Sequence, residues 1–451
     1  MTIPGSSNVK TPTTPSLPSL TAHGLLAIAL TLLGALLAPP RSLAAIGDLT
    51  YMDCIANLGA NGCEQAANDS LRQAHAVAVS RDGNAVYVGS SDAITWFKRH
   101  SDGTLTYKGC IEQTARHGCL KARHGSLEDV SDIAISRDGK SVYAAAVSSK
   151  SITRFGRHSN GALTYKGCFA NSGANGCKKP RHNSLGGPSG LTVSRDGRSV
   201  YVASYRPSGG PLTRFRRRPN GALRYGGCFA SEGQRGCQTP THNSLYFSYD
   251  VEVSPDGGEV YVGSRNGITT FKRGANGALA YGGCLADGGR QGCQMATHSS
   301  LQGSRDLAIS PDGNSLYVAS FDSITRFQRA ADGALTYDDC MANGGAHGCQ
   351  APVHDSLRSP NDLAVSRDGE SVYVASGWDN SITAFGRAFD GTLTYGECFA
   401  NQGALGCEAP SHDSLGYASG VAVSRDGRSV YVAAGRTSHA ITTFSRETSG
   451  P

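Results

Sequence analysis

The chain repeats one pattern seven times, and a pair of cysteines with eight residues between them marks each copy. The seven pairs are Cys54 with Cys63, Cys110 with Cys119, Cys168 with Cys177, Cys228 with Cys237, Cys284 with Cys293, Cys340 with Cys349, and Cys398 with Cys407. Successive pairs begin 56, 58, 60, 56, 56 and 58 residues apart. Such a period indicates an array of similar supersecondary units rather than several unrelated domains.

Each copy contains four strand patterns. In the copy that begins at Asp306, the first is an apolar run that ends at a Ser-Pro-Asp-Gly turn, where glycine accepts the positive φ of a tight hairpin. Ser-Leu-Tyr-Val-Ala follows, then the alternating run Ile-Thr-Arg-Phe-Gln-Arg, and then Leu-Thr-Tyr before Cys340. Four short strands per repeat predict the blade of a β-propeller.

The two ends of the repeat region complement each other. Residues 47–54 read as a fourth strand without the first three, and residues 420–446 read as three strands without a fourth. Together they make the seventh blade, which favours a closed ring over an open solenoid with capping repeats. We therefore predict an all-β, seven-bladed β-propeller over residues 46–446. The N-terminal outer strand would close the ring against the C-terminal three strands, and a tail would occupy 447–451.

The N-terminal segment resembles a secretory signal. An apolar run of 15 residues, 24–38, is followed by small residues near Ala44 and Ala45. It is short for a membrane span, so we expect a signal peptide over 1–45, with an uncleaved anchor as the alternative. The formal charge of +6 is spread over 42 basic and 36 acidic residues, which gives no basic signature of nucleic-acid binding.

The fourteen cysteines, all in equal pairs behind a signal, predict seven local disulfides. Each would close a short loop between the fourth strand of one blade and the first strand of the next. The alternative is that the cysteines bind zinc, but their spacing lacks the short Cys-x2-4-Cys pattern of structural zinc sites. The His-x-Ser-Leu motif after most pairs recurs in six copies, so we interpret it as scaffold rather than as a nucleophile with its base.

Function is expected where the copies differ, and we consider one such position directly before the first strand. To it we assign His75, Asp132, Gly190, Asp250, Asp306, Asp362 and Gly420. The innermost strand of a blade starts at the channel mouth, so these side chains would ring one opening. Carboxylates there could bind Ca²⁺ or Mg²⁺, or act as a general base, with Asp306, Asp362 and His75 as catalytic candidates. Alternatively, each Asp accepts hydrogen bonds from nearby backbone.

The loops between the second and third strands also differ between copies. They supply aromatic and basic candidates for a ligand-binding rim, namely Tyr205, Arg206, Arg265, Trp378 and Arg436, beside Asp132 and Asp250 at the mouth. An aromatic and basic rim around an acidic mouth would suit a small molecule. Ordinary variability of exposed loops would give the same pattern.

The repeated motifs Ser-Arg-Asp-Gly-x-x-Val-Tyr-Val, Ile-Thr-x-Phe and Gly-x-Leu-Thr-Tyr resemble those of the lactonase-type (YVTN-like) seven-bladed propellers. That family includes 6-phosphogluconolactonase-like enzymes and muconate cycloisomerase-like proteins. The resemblance implies the fold over all seven blades. Its Pro-Arg-His-type motif before the first strand is approximated here only by His75, within Gln73-Ala74-His75.

Two classes of function follow. The first is a secreted, periplasmic or cell-envelope binding or scaffold protein that uses the disulfide-looped face to hold a small molecule, a glycan or an extracellular protein. The second is a lactonase-like hydrolase or cycloisomerase with its site at the channel mouth. No cofactor is evident beyond the possible divalent cation at Asp132, Asp250, Asp306 and Asp362. Neither nucleic acid nor, after signal cleavage, a membrane span is expected.

Overall fold

The structure is a computed structural model that describes residues 45–115, 117–206 and 209–448. Within these residues the chain forms seven antiparallel sheets, and their inner strands are neighbours around one central channel. The prediction of a seven-bladed propeller is confirmed. We number the blades 1 to 7 in chain order from the sheet that begins at Ala76.

Each blade is a meander of four strands from the channel outward. The inner strands are Ala76–Val79, Val130–Ile135, Pro188–Val193, Ser248–Val253, Asp306–Ile309, Pro360–Val365 and Ala418–Val423. The second strands are Ala85–Gly89, Ser141–Ala146, Ser199–Ser204, Glu259–Ser264, Ser315–Ala319, Ser371–Ser376 and Ser429–Ala434. The third strands are Ala93–Arg99, Ser151–Arg157, Leu212–Arg217, Gly267–Arg273, Ser323–Arg329, Ser381–Arg387 and Ala440–Arg446. The fourth strands are Leu105–Glu112, Leu163–Ala170, Leu223–Phe229, Leu279–Ala286, Leu335–Ala342, Leu393–Ala400 and, for blade 7, Leu49–Ala56.

Ring closure occurs as the complementary ends predict. The strand Leu49–Ala56 pairs antiparallel with Ala440–Arg446, from Leu49 opposite Arg446 to Ala56 opposite Ala440. Blade 7 therefore takes its outer strand from the start of the repeat region and its other three strands from the end. This pairing covers the edge of the strand Ala440–Arg446, which would otherwise be the open edge of blade 7.

A repeated polar clamp joins each blade to the next on the face of the Asp-Gly turns. Between blades 1 and 2, Arg157 Nη2 donates to both carboxylate oxygens of Asp82, at 2.8 and 2.7 Å. Its Nε donates to the hydroxyl of Tyr87 at 2.8 Å, and that hydroxyl donates to the Gly161 carbonyl. Asp82 also accepts from Ser80 within its own turn. Equivalent arginine–aspartate pairs join all seven pairs of neighbouring blades, including Arg99 with Asp426 between blades 1 and 7.

The seven predicted disulfides all form, which excludes zinc as the partner of these thiols, and the described residues contain no free cysteine. The bonds are Cys54 to Cys63, Cys110 to Cys119, Cys168 to Cys177, Cys228 to Cys237, Cys284 to Cys293, Cys340 to Cys349, and Cys398 to Cys407. The two Cα atoms of each pair lie 4.9–5.0 Å apart. Each bond closes the loop between one blade and the next, as the spacing predicts.

The disulfide loops share one local structure. In six blades the loop contains tight 3-10 turns, at Asn57–Gly62, Asn171–Gly176, Ser231–Gly236, Asp287–Gly292, Asn343–Gly348 and Asn401–Gly406. The chain after each loop pairs in parallel with its own fourth strand. This pairing takes the form of two-residue strands at Glu64–Gln65, Leu120–Lys121 and Gln294–Met295, and of single bridges elsewhere.

The disulfide loops lie on the same face as the loops from second to third strands and the starts of the inner strands, because each blade is a four-strand meander. We call this the looped face. Seven disulfides are typical of a protein outside the cytoplasm. In the part of the chain that the structure describes, no helix has the length and apolarity to cross a membrane. The predicted signal peptide lies, except for Ala45, outside the described residues and stays a prediction.

Candidate functional site

The channel mouth on the looped face holds a cavity of about 360 Å³ lined by the predicted aspartates. Asp132, Asp250, Asp306 and Asp362 all border it, together with His75. They converge because each stands at or near the start of an innermost strand, where neighbouring blades come closest. The structure therefore brings together the set that the sequence singled out, although it does not test their roles.

Each of the four aspartates also links its blade to the next. Asp306 Oδ2 accepts from the backbone N–H of Leu363 at 2.8 Å, and Asp362 Oδ2 accepts from that of Val421 at 2.7 Å. Asp132 and Asp250 make the same bond to Leu191 and Leu307, at 2.5 and 3.2 Å. At least one oxygen of every carboxyl therefore accepts a backbone hydrogen bond, as the alternative interpretation predicts. The same carboxyls also border the shared cavity.

Burial raises the pKa values of all four carboxyls, and repulsion between them adds to this for Asp132, Asp250 and Asp306. For Asp250 burial is the largest cause, and with repulsion from Asp362 it brings the pKa to about 6. Burial, followed by repulsion from Asp362 and Asp250, raises the pKa of Asp306 well above its ordinary value. Burial and the charge of Asp250 do the same for Asp132. Since like charges share a low-dielectric cavity, the group holds protons at pH values where an isolated aspartate has lost its own.

Glu252 is a member of the site that the sequence analysis missed. It lies two residues after Asp250, on the same face of the inner strand, and lines the same cavity. Burial, followed by repulsion from Asp250, raises its pKa to about 8. The equivalent position holds alanine in five blades and threonine in blade 3, so the departure from the repeat was visible in the sequence.

The assignment of His75 to the aspartate position is wrong by one residue. In blade 1 the strand register places Ala76 opposite Gly89, as it places Asp306 opposite Ala319 in blade 5. Ala76 therefore occupies the aspartate position, and His75 precedes it. The error arose because blade 1 offers no aspartate there and the histidine is the nearest polar side chain.

His75 nevertheless belongs to the mouth, since it lines the cavity. Its Nε2 lies 3.7 Å from Asp129 Oδ1, a contact with a residue of the neighbouring blade. Burial is the largest influence on its pKa and lowers it, while Asp129 acts in the opposite direction. The imidazole is therefore neutral at neutral pH and can accept a proton.

Two of the seven positions at the channel mouth carry glycine because a larger residue would not fit beside the neighbouring strand. A Cβ at Gly190 would overlap Asp250 Oδ1 and would lie 2.7 Å from the Asp250 Cα. A Cβ at Gly420 would lie 2.6 Å from the His75 carbonyl oxygen. Neither position could carry a carboxylate without moving a neighbouring strand, so the acidic ring is interrupted there.

The predicted rim residues lie on the looped face but do not line the cavity itself. Tyr205 packs against Tyr249, with ring centroids 5.1 Å apart, and Tyr249 does border the cavity. Trp378 is 46% exposed and carries the Arg358 guanidinium 5.0 Å above its ring. Three predicted arginines pack locally: Arg265 lies over Phe247, Arg436 lies over Tyr417, and Arg206 donates to the Gly186 carbonyl.

The inner lip of the mouth consists of the residues that directly precede the aspartate position. Besides His75 these are Ser131, Ser189, Tyr249, Arg305, Asn361 and Ser419, and all of them border the cavity. Arg305 Nη1 donates to Ser359 Oγ at 2.7 Å and also to Asn361 Oδ1. The lip therefore places one cation and several hydrogen-bonding groups beside the carboxyls.

The opposite mouth of the channel is basic. Arg81, Arg195, Arg367 and Arg425 line a separate cavity of about 270 Å³. Arg425 Nη1 donates to the Arg81 carbonyl and Arg195 Nη1 to that of Pro255, so these side chains extend around the ring from blade to blade. The channel thus has an acidic and a basic end.

No family model matches this sequence, and no curated protein matches it in sequence. Solved structures do match its fold. The chain is similar to a putative 6-phosphogluconolactonase from Bacteroides uniformis ATCC 8492, at 17% identity and a TM-score of 0.51, over 71% of this chain and 82% of that one. It is also similar to the periplasmic gluconolactonase PpgL from Pseudomonas aeruginosa, at 15% identity and a TM-score of 0.51, over 75% and 86% of the two chains.

The resemblance to lactonase-type propellers is thus confirmed for the fold. A third match, the β-propeller domain of Cps50 (Swd1) from Myceliophteria thermophila, has 11% identity and a TM-score of 0.55, over 88% of this chain and 99% of that one. Proteins with different names share this architecture, and the shared framework carries no reaction of its own. Function must therefore be argued from the site of this chain.

Proposed function

We propose that this protein is an extracytoplasmic binding protein that holds a small ligand at the acidic channel mouth on its looped face. The observation that carries the proposal is the convergence of four aspartates and Glu252 in one cavity of about 360 Å³. That volume suits a small molecule, which a few polar groups would orient. The seven disulfides support a place outside the cytoplasm.

The chemistry of the mouth favours a ligand that donates hydrogen bonds. An ammonium group bound beside these carboxyls would lower their raised pKa values and favour the ionised form. Ionised carboxylates only accept, and two adjacent carboxylates can each bind a hydroxyl or an ammonium group. The ring of Tyr249, which borders the cavity, would contact the apolar side of a sugar-like molecule. An amino sugar or another small hydroxylated amine combines these features. A strongly anionic ligand would meet the acidic ring as it approached.

Binding is tested by replacing two neighbouring carboxyls. Glucosamine, spermidine and sorbitol are titrated into the tag-free protein by calorimetry, with gluconate as the anionic comparison. We expect the double variant Asp306→Asn with Asp362→Asn to weaken binding of the aminated ligands at least about tenfold, since each lost charge-assisted hydrogen bond contributes ~1.5–3 kcal/mol. Asparagine keeps a side-chain oxygen for the Leu363 and Val421 N–H groups, so the fold should persist.

The chain offers a matched control for that variant. Asp102 and Asp332 lie in exposed turns between third and fourth strands, where blades 2 to 4 carry Asn160, Asn220 and Asn276. The double variant Asp102→Asn with Asp332→Asn therefore removes the same charge through a substitution that the repeat already accepts. Equal binding by both double variants, or equal binding of gluconate and glucosamine, would contradict the proposal.

A lactone hydrolase is the second candidate, and Glu252 is the observation that favours it. A carboxyl with a pKa of about 8, beside Asp250 with a pKa of about 6, can take and return protons near neutral pH. One carboxylate would accept a proton from water as it attacks the lactone carbonyl. The other would protonate the ring oxygen as its bond to the carbonyl carbon breaks, which gives a hydroxy acid.

Turnover is measured by pH-stat with a panel of sugar and aromatic lactones, with and without chelator. If the protein is a lactonase, we expect Glu252→Gln to lower kcat at least about 100-fold, the usual size of a lost general acid or base. The melting temperature would report any loss of fold. Absence of turnover by the folded wild-type protein with every lactone would exclude this candidate and leave the binding proposal standing.

A further inference from the structure

Blade 1 contains a cluster of metal-ligating side chains away from the channel. Asp92, Glu112 and His117 each offer a ligand atom, and these atoms all lie within 4.8 Å of one another. Among the described residues this is the one set of three such side chains at that separation. The four channel aspartates do not form such a set among the described residues. The binding of Ca²⁺ or Mg²⁺ at the channel mouth therefore stays a prediction.

Glu112 breaks the repeat at a buried position. It follows the first cysteine of its pair by two residues, where the other six copies have alanine: Ala56, Ala170, Ala230, Ala286, Ala342 and Ala400. The Glu112 side chain is 1% exposed. Burying a carboxylate is costly unless cations or hydrogen-bond donors surround it. A charged residue in place of a small apolar one at such a position needs a specific counterpart.

His117 supplies part of that counterpart. Its Nδ1 lies 2.8 Å from Glu112 Oε1, and its backbone N–H donates to Glu112 Oε2 at 3.1 Å. Thr114 Oγ1 donates to Glu112 Oε1 at 3.1 Å. These contacts reach both oxygens of the buried Glu112 carboxyl.

Asp92 brings a second carboxylate to the same place. It immediately precedes the third strand, whose first residue, Ala93, pairs with Glu112. Two carboxylates and one imidazole thus meet with a formal charge of −2 when the ring is neutral. A bound divalent cation would cancel that charge.

We propose that Asp92, Glu112 and His117 form a binding site for a divalent transition-metal ion of the zinc class. Two carboxylate oxygens and one imidazole nitrogen are ligands that zinc accepts, and the imidazole disfavours Ca²⁺ and Mg²⁺, which take oxygen ligands. The site spans the second-to-third-strand loop and the disulfide loop of blade 1. A metal there would fix these two loops to each other on the looped face.

Blade 5 provides a natural comparison within the same chain. Asp322 and His347 occupy the positions of Asp92 and His117, and His347 Nε2 lies 3.2 Å from Asp322 Oδ1. Ala342 stands where blade 1 has Glu112, and it is fully buried. Blade 5 therefore has the aspartate–histidine pair without the central carboxylate, and it should not bind the ion as blade 1 does.

The test uses tag-free, chelator-treated protein and Zn²⁺, with Mn²⁺ and Ca²⁺ for comparison. Bound metal is counted by mass spectrometry after dialysis, and affinity is measured by calorimetry. We expect one Zn²⁺ per chain at micromolar or tighter Kd and at least about 100-fold weaker Ca²⁺ binding, because of the imidazole ligand. Glu112→Ala, which installs the residue of the other six blades, should abolish the Zn²⁺ site. Asp322→Ala, and Asp306→Asn with Asp362→Asn, should each leave the count at one.

A gain of binding gives the sharpest check. Ala342→Glu places the missing carboxylate between Asp322 and His347, and it should raise the count from one Zn²⁺ per chain to two. Zinc should also raise the melting temperature of the wild type but not of Glu112→Ala. The proposal fails if Glu112→Ala binds Zn²⁺ like the wild type, or if the wild type binds none at a free Zn²⁺ concentration of about 100 µM, well above the Kd of an ordinary three-ligand protein site.

Discussion

Reduction of the seven disulfides is expected to lower the melting temperature by more than about 10 °C. Each disulfide closes a loop with a sequence separation of 9 residues, which restricts the unfolded chain by just under about 3 kcal/mol in the loop-entropy estimate. Seven such loops give an upper bound of roughly 20 kcal/mol. With an unfolding entropy of about 2.1 cal/mol/K per residue over ~400 residues, the ceiling is roughly 25 °C.

The loops themselves should keep this effect below its ceiling. They hold non-glycine residues at positive φ, such as Leu58 and Asn61 in the first loop and Gln402 and Leu405 in the last. Each such residue costs about 1 kcal/mol or more and persists only where its surroundings enforce it. The disulfide and the parallel bridge after it supply that constraint. A reduced loop should therefore open and lose this strain, which offsets part of the lost stabilisation.

The measurement is calorimetric unfolding with and without a phosphine reductant, with thiols counted by mass spectrometry. The double variant Cys340→Ser with Cys349→Ser, which removes one loop, should lower the melting temperature by a few degrees. A fully reduced protein that melts at the temperature of the oxidised form would show that blade packing alone sets the stability.

The ring and its disulfides could be predicted from the sequence because the evidence was repeated seven times. Strand periodicity, Asp-Gly turns and cysteine spacing each recur, so errors in one copy are corrected by the others. The clamp of Arg157 with Asp82 was missed even though both residues recur. Its partners lie 75 residues apart, and a repeat shows which residues are equivalent but not which copies touch.

Repetition gives no such help with the candidate site, because function lies where the copies differ. The sequence placed Asp306 and Asp362 at the mouth correctly, but it put His75 one residue out of register. It missed Glu252 and Glu112, which replace small residues at positions where most other blades carry alanine. Comparing each position across the seven copies would have found both. The locations of their partners, such as Asp92 beside Glu112, depend on the register of the strands and loops.

The carboxyls of the channel should make the protein less stable as the pH rises from about 5 to about 8. A carboxyl whose pKa is higher in the folded than in the unfolded state holds its proton longer when folded. Its stabilising contribution is therefore complete below the unfolded value and is lost as the pH rises through the folded one. Glu252, with a folded pKa of about 8, and Asp250, at about 6, define this window.

The aspartates of the Asp-Gly turns make the protein more stable as the pH rises, and they do so in a lower pH range. Hydrogen bonds from Ser136 and Arg217 outweigh burial and lower the pKa of Asp138 to about 2, and the pKa of Asp196 is lowered to about 2 in the same way. Their contribution is present above a pH of about 4 and is lost as the pH falls toward about 2. Stability should consequently be greatest at mildly acidic pH, between the two windows.

The variant Glu252→Gln separates the effect of the channel carboxyls on stability from that of the turn aspartates. It removes the charge of Glu252 but keeps the size of the side chain. At a pH of about 8.5 we expect the variant to be more stable than the wild type by on the order of 2 kcal/mol, less than the full pKa shift implies because the channel admits water. At a pH of about 4.5, where Glu252 is protonated, the two proteins should unfold together. Denaturant unfolding at both pH values measures the difference. A variant that is destabilised equally at both would mean that Glu252 is held by a favourable partner when ionised, which would remove the physical basis for its role as a proton carrier.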